Sequence, residues 1–114
     1  MNVSKELLSE VLGTPVEIIS IDEHKCEIKN SISFENYQLG VSYSYLYGNK
    51  EIRFMPVHEL AHECKEWASS KGYHIYSHNK GCHIHYNIAS FKADTEPEAI
   101  FAACQWILDN KDKQ

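Results

Sequence analysis

Apolar positions change their period several times along the chain, and each change marks a new element. Leu7, Leu8, Val11 and Leu12 recur at helical spacing. Ser4 ahead of them can accept from the free amides of a first turn, and Gly13 with Pro15 ends the helix. Val16-Glu17-Ile18-Ile19-Ser20-Ile21 is β-branched and reads as a strand, and a weaker strand falls within Cys26–Phe34. Val41, Tyr43, Tyr45 and Tyr47 then alternate with Ser42, Ser44 and Leu46. Gly48-Asn49 forms a two-residue turn, and Ile52 and Phe54 return on a paired strand that sets Tyr45 opposite Ile52.

Pro56 fits the first turn of a second long helix, which Gly72 closes. Tyr73–His78 and Cys82–Phe91 form a hairpin around Asn79-Lys80-Gly81. A two-residue Lys80-Gly81 turn would set His78 opposite His83 and Tyr76 opposite His85. That register gathers Tyr73, Ile75, Ser77, Ile84, Tyr86 and Ile88 on the apolar face, with the histidines on the other and Cys82 turned away from them. Thr95-Glu96-Pro97-Glu98 is a capping box, and Ile100, Ala103, Cys104, Ile107 and Leu108 form the stripe of the helix it opens. The order α-β-β-β-β-α-β-β-α defines an α+β class. Its expected form is a mainly antiparallel sheet of about five to six strands packed with three helices, a helix–sheet–helix sandwich. Residues 1–109 are expected as a single domain and 110–114 as a flexible tail.

Composition narrows the function classes. The chain has 114 residues, of which 43% are hydrophobic, so a core is attainable at this size. The net charge is −5 and no Lys/Arg cluster occurs, so direct DNA binding is not expected. No basic-then-apolar leader and no apolar run of about 20 residues is present, so no membrane association is expected. Cys26, Cys64, Cys82 and Cys104 form no C-x-x-C pair. They read as free thiols in a reducing cytoplasm. Trp67 and Trp106 lie on or beside helical apolar stripes and read as core, and the tyrosines at 43, 45, 47, 73, 76 and 86 suit strands and binding surfaces alike.

His58-Glu59-Leu60-Ala61-His62 fits H-E-x-x-H, in which two histidines one turn apart hold zinc and the glutamate activates water. Rotation at about 100° per residue tests that reading. Val57, Leu60, Ala61, Cys64, Trp67 and Ala68 fall on one core-facing arc. His58 and His62 share a different face with Lys65 and Ser69, and Glu59 groups with Glu63 and Glu66 opposite the core. The motif therefore looks outward, whereas a peptidase turns it into a cleft. Lys65 and Ala68 stand where the extended motif needs glycine and histidine. Glu96 and Glu98 are the available third ligands, and capping already accounts for them. The favoured reading is a solvated helix with no cofactor. The alternative is a zinc site of His58 and His62 with Glu59 as base.

Four of the seven histidines, His74, His78, His83 and His85, fall in one hairpin with Tyr76. Clustered imidazoles can bind a transition metal, here through His78, His83 and His85, or a phosphate or acidic partner once protonated. The plainer reading, a half-exposed sheet face of polar rings serving as a binding surface, is preferred because no carboxylate or cysteine completes a metal site.

Three stretches carry a family resemblance. They are Ser4-Lys5-Glu6-Leu7-Leu8-Ser9-Glu10-Val11-Leu12-Gly13, Glu59–Ala68 followed by Lys71-Gly72-Tyr73, and Phe91–Cys104. Together they resemble small phage and prophage proteins, including the phage ABA-sandwich group. The resemblance covers the two later helices well and the middle strands poorly. It implies a helix–sheet–helix sandwich acting in the cytoplasm of a bacterial host, with inhibition of a host defence system among the roles open to such proteins. The expectation is a non-enzymatic accessory protein that binds a host macromolecule or a small ligand, with oligomerisation left open. The alternative is a small zinc metallopeptidase using His58, Glu59 and His62.

Overall fold

The computed structural model describes residues 3–13, 15–22, 24–30, 43–47, 50–85 and 88–110, with the backbone alone at residues 30, 43–47 and 50–54. Its elements run α1 (Lys5–Leu12), β1 (Val16–Ile21), β2 (Lys25–Asn30), β3 (Tyr43–Tyr47), β4 (Lys50–Pro56), α2 (Val57–Ser70), β5 (Ile75–His78), β6 (Gly81–Ile84), β7 (Ser90–Lys92) and α3 (Glu96–Asn110). The fold is α+β with three helices. The described strands form two antiparallel sheets, ordered β1-β2-β4-β3 and β5-β6-β7, where the pattern suggested one sheet of five to six strands. The chain divides into two compact units, Val3–Leu60 and Ala61–Gln114.

In the first unit, Ser4 Oγ accepts from Leu7 N (3.0 Å) and Gly13 ends α1 at φ 73°, a conformation that glycine adopts without Cβ strain. Ser9 Oγ then accepts from Val16 N (3.0 Å) and fixes the start of β1. Helix α1 packs on β1 and buries Leu7, Leu8 and Leu12, with Val16, Cys26, Ile28, Met55, Val57 and Leu60 completing the core. Strand β1 is bulged. Ile18 pairs with Ile28 and Ser20 with Glu27, so Ile19 is the extra residue and is 46% exposed despite its β-branched side chain. Tyr45 lies opposite Ile52, as the alternation predicts. Val41 and the Gly48-Asn49 turn lie outside the described residues.

The β1–β2 turn is held by Asp22. Its Oδ1 accepts from His24 N (2.8 Å) and Lys25 N (2.9 Å), which hold its carboxyl below the usual carboxylate range. His24 O in turn accepts from Val57 N (2.9 Å), the first amide of α2. Pro56 is the last residue of β4, one position outside the helix it was expected to open.

In the second unit, Gly72 at φ 90° closes α2. Gly72 N donates to Ser69 O (3.0 Å) and Tyr73 N to Ala68 O (2.9 Å), the paired bonds of a Schellman end. Thr95 Oγ1 accepts from Glu98 N (3.3 Å) at the start of α3. Helix α3 lies across β5, β6 and β7, and its buried Ala99, Ile100, Phe101, Ala103, Cys104 and Ile107 meet a core that includes Ile75, Cys82 and Ile84. Asn110, expected to begin the tail, is the last helical residue, with its Nδ2 donating to Trp106 O (2.7 Å).

Strand β7 was not anticipated. Cys82–Phe91 was expected as one strand, but β6 ends at Ile84 and β7 returns to pair Cys82 with Phe91, leaving Ile88 between them 51% exposed, off the apolar face assigned to it. No described helix is long and apolar enough to cross a membrane.

Candidate functional site

The register of the β5–β6 hairpin differs from the expected one by two residues. Ile75 pairs with Ile84, Tyr76 with His83, Ser77 with Cys82 and His78 with Gly81, so the turn is Asn79-Lys80. His78 therefore does not face His83, nor Tyr76 His85. Gly81 is accommodated closely in this register. A Cβ there would stand 2.8 Å from Phe91 O and 2.9 Å from His78 Cε1, so the bare glycine lets β5 and β7 close on β6 from both sides. Because the shift is an even number, the paired side chains of β5 and β6 keep their predicted faces. Ile75, Cys82 and Ile84 are buried, while His74, Tyr76 and His78 are exposed and His83 and His85 half-buried.

On the outer face the rings form a connected ladder. Tyr76 stacks on His83 with centroids 5.3 Å apart and planes 23° from parallel. His85 meets Tyr76 at 5.5 Å and His74 edge-on at 6.3 Å. His78 sits apart at the hairpin tip, its ring over Gly81.

The ladder borders a groove of about 290 Å³ lined by His62, Lys65, Glu66 and Ser69 from α2 and by His74, Ile75 and Tyr76. Lys65 Nζ donates to Ser77 Oγ (3.0 Å), Ser69 Oγ lies 3.4 Å from His74 Nδ1, and His62 Nε2 lies 3.7 Å from Glu66 Oε1. Two sets of residues that the sequence presents separately thus meet here: the polar face of α2 and the ring face of the hairpin. Lys65, Glu66 and Ser69 had not been assigned to a site. Their signal was the i, i+4 spacing of His62 with Glu66 and of Lys65 with Ser69, which stacks each pair on one helix face.

His58 and His62 are exposed on α2 and Glu59 is half-buried. Glu66, not a metal-binding histidine, is the neighbour of His62. Glu96 and Glu98 lie in the first turn of α3 beside its Thr95 cap. Among the described residues no group of three or more His, Cys, Asp or Glu side chains could hold a metal ion, and this includes the sets built on His58 and His62 and on His78, His83 and His85.

The four cysteines are buried thiols outside any disulfide. Burial pushes the Cys26 thiol up to about 12, with Asp22 and Glu27 adding to the effect. It pushes Cys82 up to about 11, reinforced by Cys104 and Glu96 and opposed by Lys65. The Cys82 thiol donates to Ala99 O (3.2 Å) and the Cys104 thiol to Cys64 O (3.4 Å). Thiols so placed act as small core groups, since the thiolate is the nucleophilic form. A second depression, about 390 Å³, is lined by Glu6, Ser9, Glu10, Gly13 and Pro15, and among these described residues there is neither an aromatic ring nor a cation.

Comparison of the chain with protein-family models, with curated proteins and with solved structures gives no significant match.

Proposed function

We propose that the chain is a non-enzymatic binding protein and that the groove between α2 and β5, with its bordering ring ladder, is where a host macromolecule or small ligand docks. The observation that carries this reading is the meeting of Lys65, Glu66, Ser69 and His62 with His74 and Tyr76 around one open groove. Half-exposed aromatic rings backed by other rings present a large contact area at low entropy cost, and nearby donors and acceptors supply orientation. The binding surface is His74, Tyr76, His83 and His85, with His78 at its margin. No cofactor is assigned.

The resemblance to small phage proteins supports a setting in a phage or prophage, in the cytoplasm of the bacterial host, and inhibition of a defence system as the role. Two experiments test these parts separately. Capture of a partner from bacterial lysate is expected to be lost in Tyr76→Ala and His83→Ala and kept in His58→Ala; capture indifferent to Tyr76 and His83 would place binding elsewhere. Expression in bacteria that carry a defence system is expected to restore phage plating. Unchanged plating across a panel of defence systems would remove the inhibitor role and leave the binding role standing.

A further inference from the structure

Resting on that groove as the binding site, we infer that its ligand is a single nucleotide carrying one phosphate, with the base stacked on Tyr76 and the phosphate on Lys65. Three observations converge on this chemistry. Tyr76 is 50% exposed, and its ring is backed by His83 in near-parallel stacking. A planar heterocycle added to Tyr76 would extend an existing stack, and stacking tolerates any base.

Besides Lys65, the groove wall carries the Glu66 carboxylate, the Ser69 hydroxyl and the imidazoles of His62 and His74. A base edge carries a complementary mixture of donors and acceptors. At about 290 Å³ the groove lies at the lower end of small-molecule sites, large enough for a heterocycle with its sugar.

Charge sets the phosphate count. Lys65 is the only Lys or Arg among the described lining residues, and Ser77 Oγ holds its ammonium in place at 3.0 Å. The Glu66 carboxylate opposes it, and the last turn of α2 presents the negative end of the helix dipole. Lys65 can engage one phosphate and offset part of its charge of about −1.5 to −2 at neutral pH. A triphosphate or a polynucleotide backbone would meet uncompensated repulsion, in keeping with a net charge of −5.

The test is calorimetric titration of the full chain at neutral pH with adenosine, guanosine, cytidine and uridine, their 5′-monophosphates and 5′-triphosphates, and a short single-stranded oligonucleotide. At least one monophosphate is expected to bind saturably and more tightly than its nucleoside. Tyr76→Ala is expected to weaken nucleoside and monophosphate alike by about tenfold, and Tyr76→Phe to retain both. Lys65→Gln is expected to reduce the monophosphate to the affinity of its nucleoside and leave the nucleoside unchanged. Absence of nucleoside and monophosphate binding, binding indifferent to Tyr76→Ala in a variant that keeps the native circular dichroism, or tighter binding of a triphosphate or oligonucleotide would each overturn the inference. If nucleotides fail while lysate capture stays sensitive to Tyr76→Ala, only the ligand class falls. If neither is seen, the binding role of the groove falls with it.

Discussion

Gly81 and His78 face each other across the β5–β6 hairpin, and a Cβ on Gly81 would stand 2.9 Å from His78 Cε1 and 2.8 Å from the Phe91 carbonyl oxygen. The imidazole can swing away, but the carbonyl belongs to the adjoining strand. Gly81→Ala is therefore expected to destabilise the protein by about 1–3 kcal/mol, read as a lower denaturant midpoint with an unchanged slope. Adding His78→Ala is expected to recover little, because the clash with Phe91 remains. Full recovery in the double variant would show that the ring, and not the strand, sets the limit.

The same glycine explains why the hairpin was only partly legible. Glycine in Asn79-Lys80-Gly81 suggests a left-handed turn residue, whereas Gly81 serves as a strand residue that permits close approach. Nothing local distinguishes these uses, since both need only a missing Cβ. The faces survived because period two is insensitive to an even slip. The helices were legible because their caps are written locally, in Ser4, Gly13, Gly72 and Thr95. The groove was not, because it depends on a tertiary meeting of α2 with β5 that no spacing encodes. The outward rotation of the HELAH histidines followed from one helix alone, and they are exposed there.

If that exposure governs their chemistry, protein purified without a histidine tag will carry substoichiometric zinc, measured by plasma mass spectrometry. His58→Ala with His62→Ala is expected to leave both metal content and thermal midpoint unchanged, since exposed substitutions seldom move stability by more than about 0.5 kcal/mol. Stoichiometric zinc that vanishes in the double variant would restore the peptidase alternative.

Asp22 gives the first unit an acid dependence. Its carboxylate accepts two backbone N–H bonds, and its lowered pKa means that the native state favours the charged form. That stabilisation is present above the ordinary pKa of 3.8 and is lost as pH falls through the lower folded value. Asp22→Ala is expected to lower the thermal midpoint at neutral pH and to narrow its gap to the native chain in acid. Asp22→Asn, which keeps the acceptor oxygen without the charge, is expected to fall between the two. A gap that does not narrow in acid would refute the role of the charge.

Cys26 gives the opposite limb. Its folded pKa, about 12, lies above the ordinary thiol value of 9.0, so the native state holds the proton more firmly than the unfolded chain. The resulting stability is complete below about 9 and is lost as pH rises toward 12. Thermal melts of the native chain and of Cys26→Ala, compared from pH 8 upward, are expected to converge as pH rises. Parallel curves would show that the thiol stays unlinked to folding.

Thr95→Ala removes the acceptor for Glu98 N at the start of α3 and is expected to cost about 1 kcal/mol, with Thr95→Ser recovering most of it. Equal losses in the two variants would assign the effect to the threonine methyl group instead of the cap.

Helix α2 takes Val57–Leu60 from one compact unit and the rest of its length from the other. Dissecting the protein at that boundary would cut through a continuous helix. A fragment starting at Ala61 would begin mid-turn, with no cap for its first amides and without the bond from Val57 N to His24 O. The complementary piece would end in a four-residue stub, too short to stay helical alone. Any attempt to study the ring-lined half in isolation should therefore start upstream of Pro56 and carry an engineered cap.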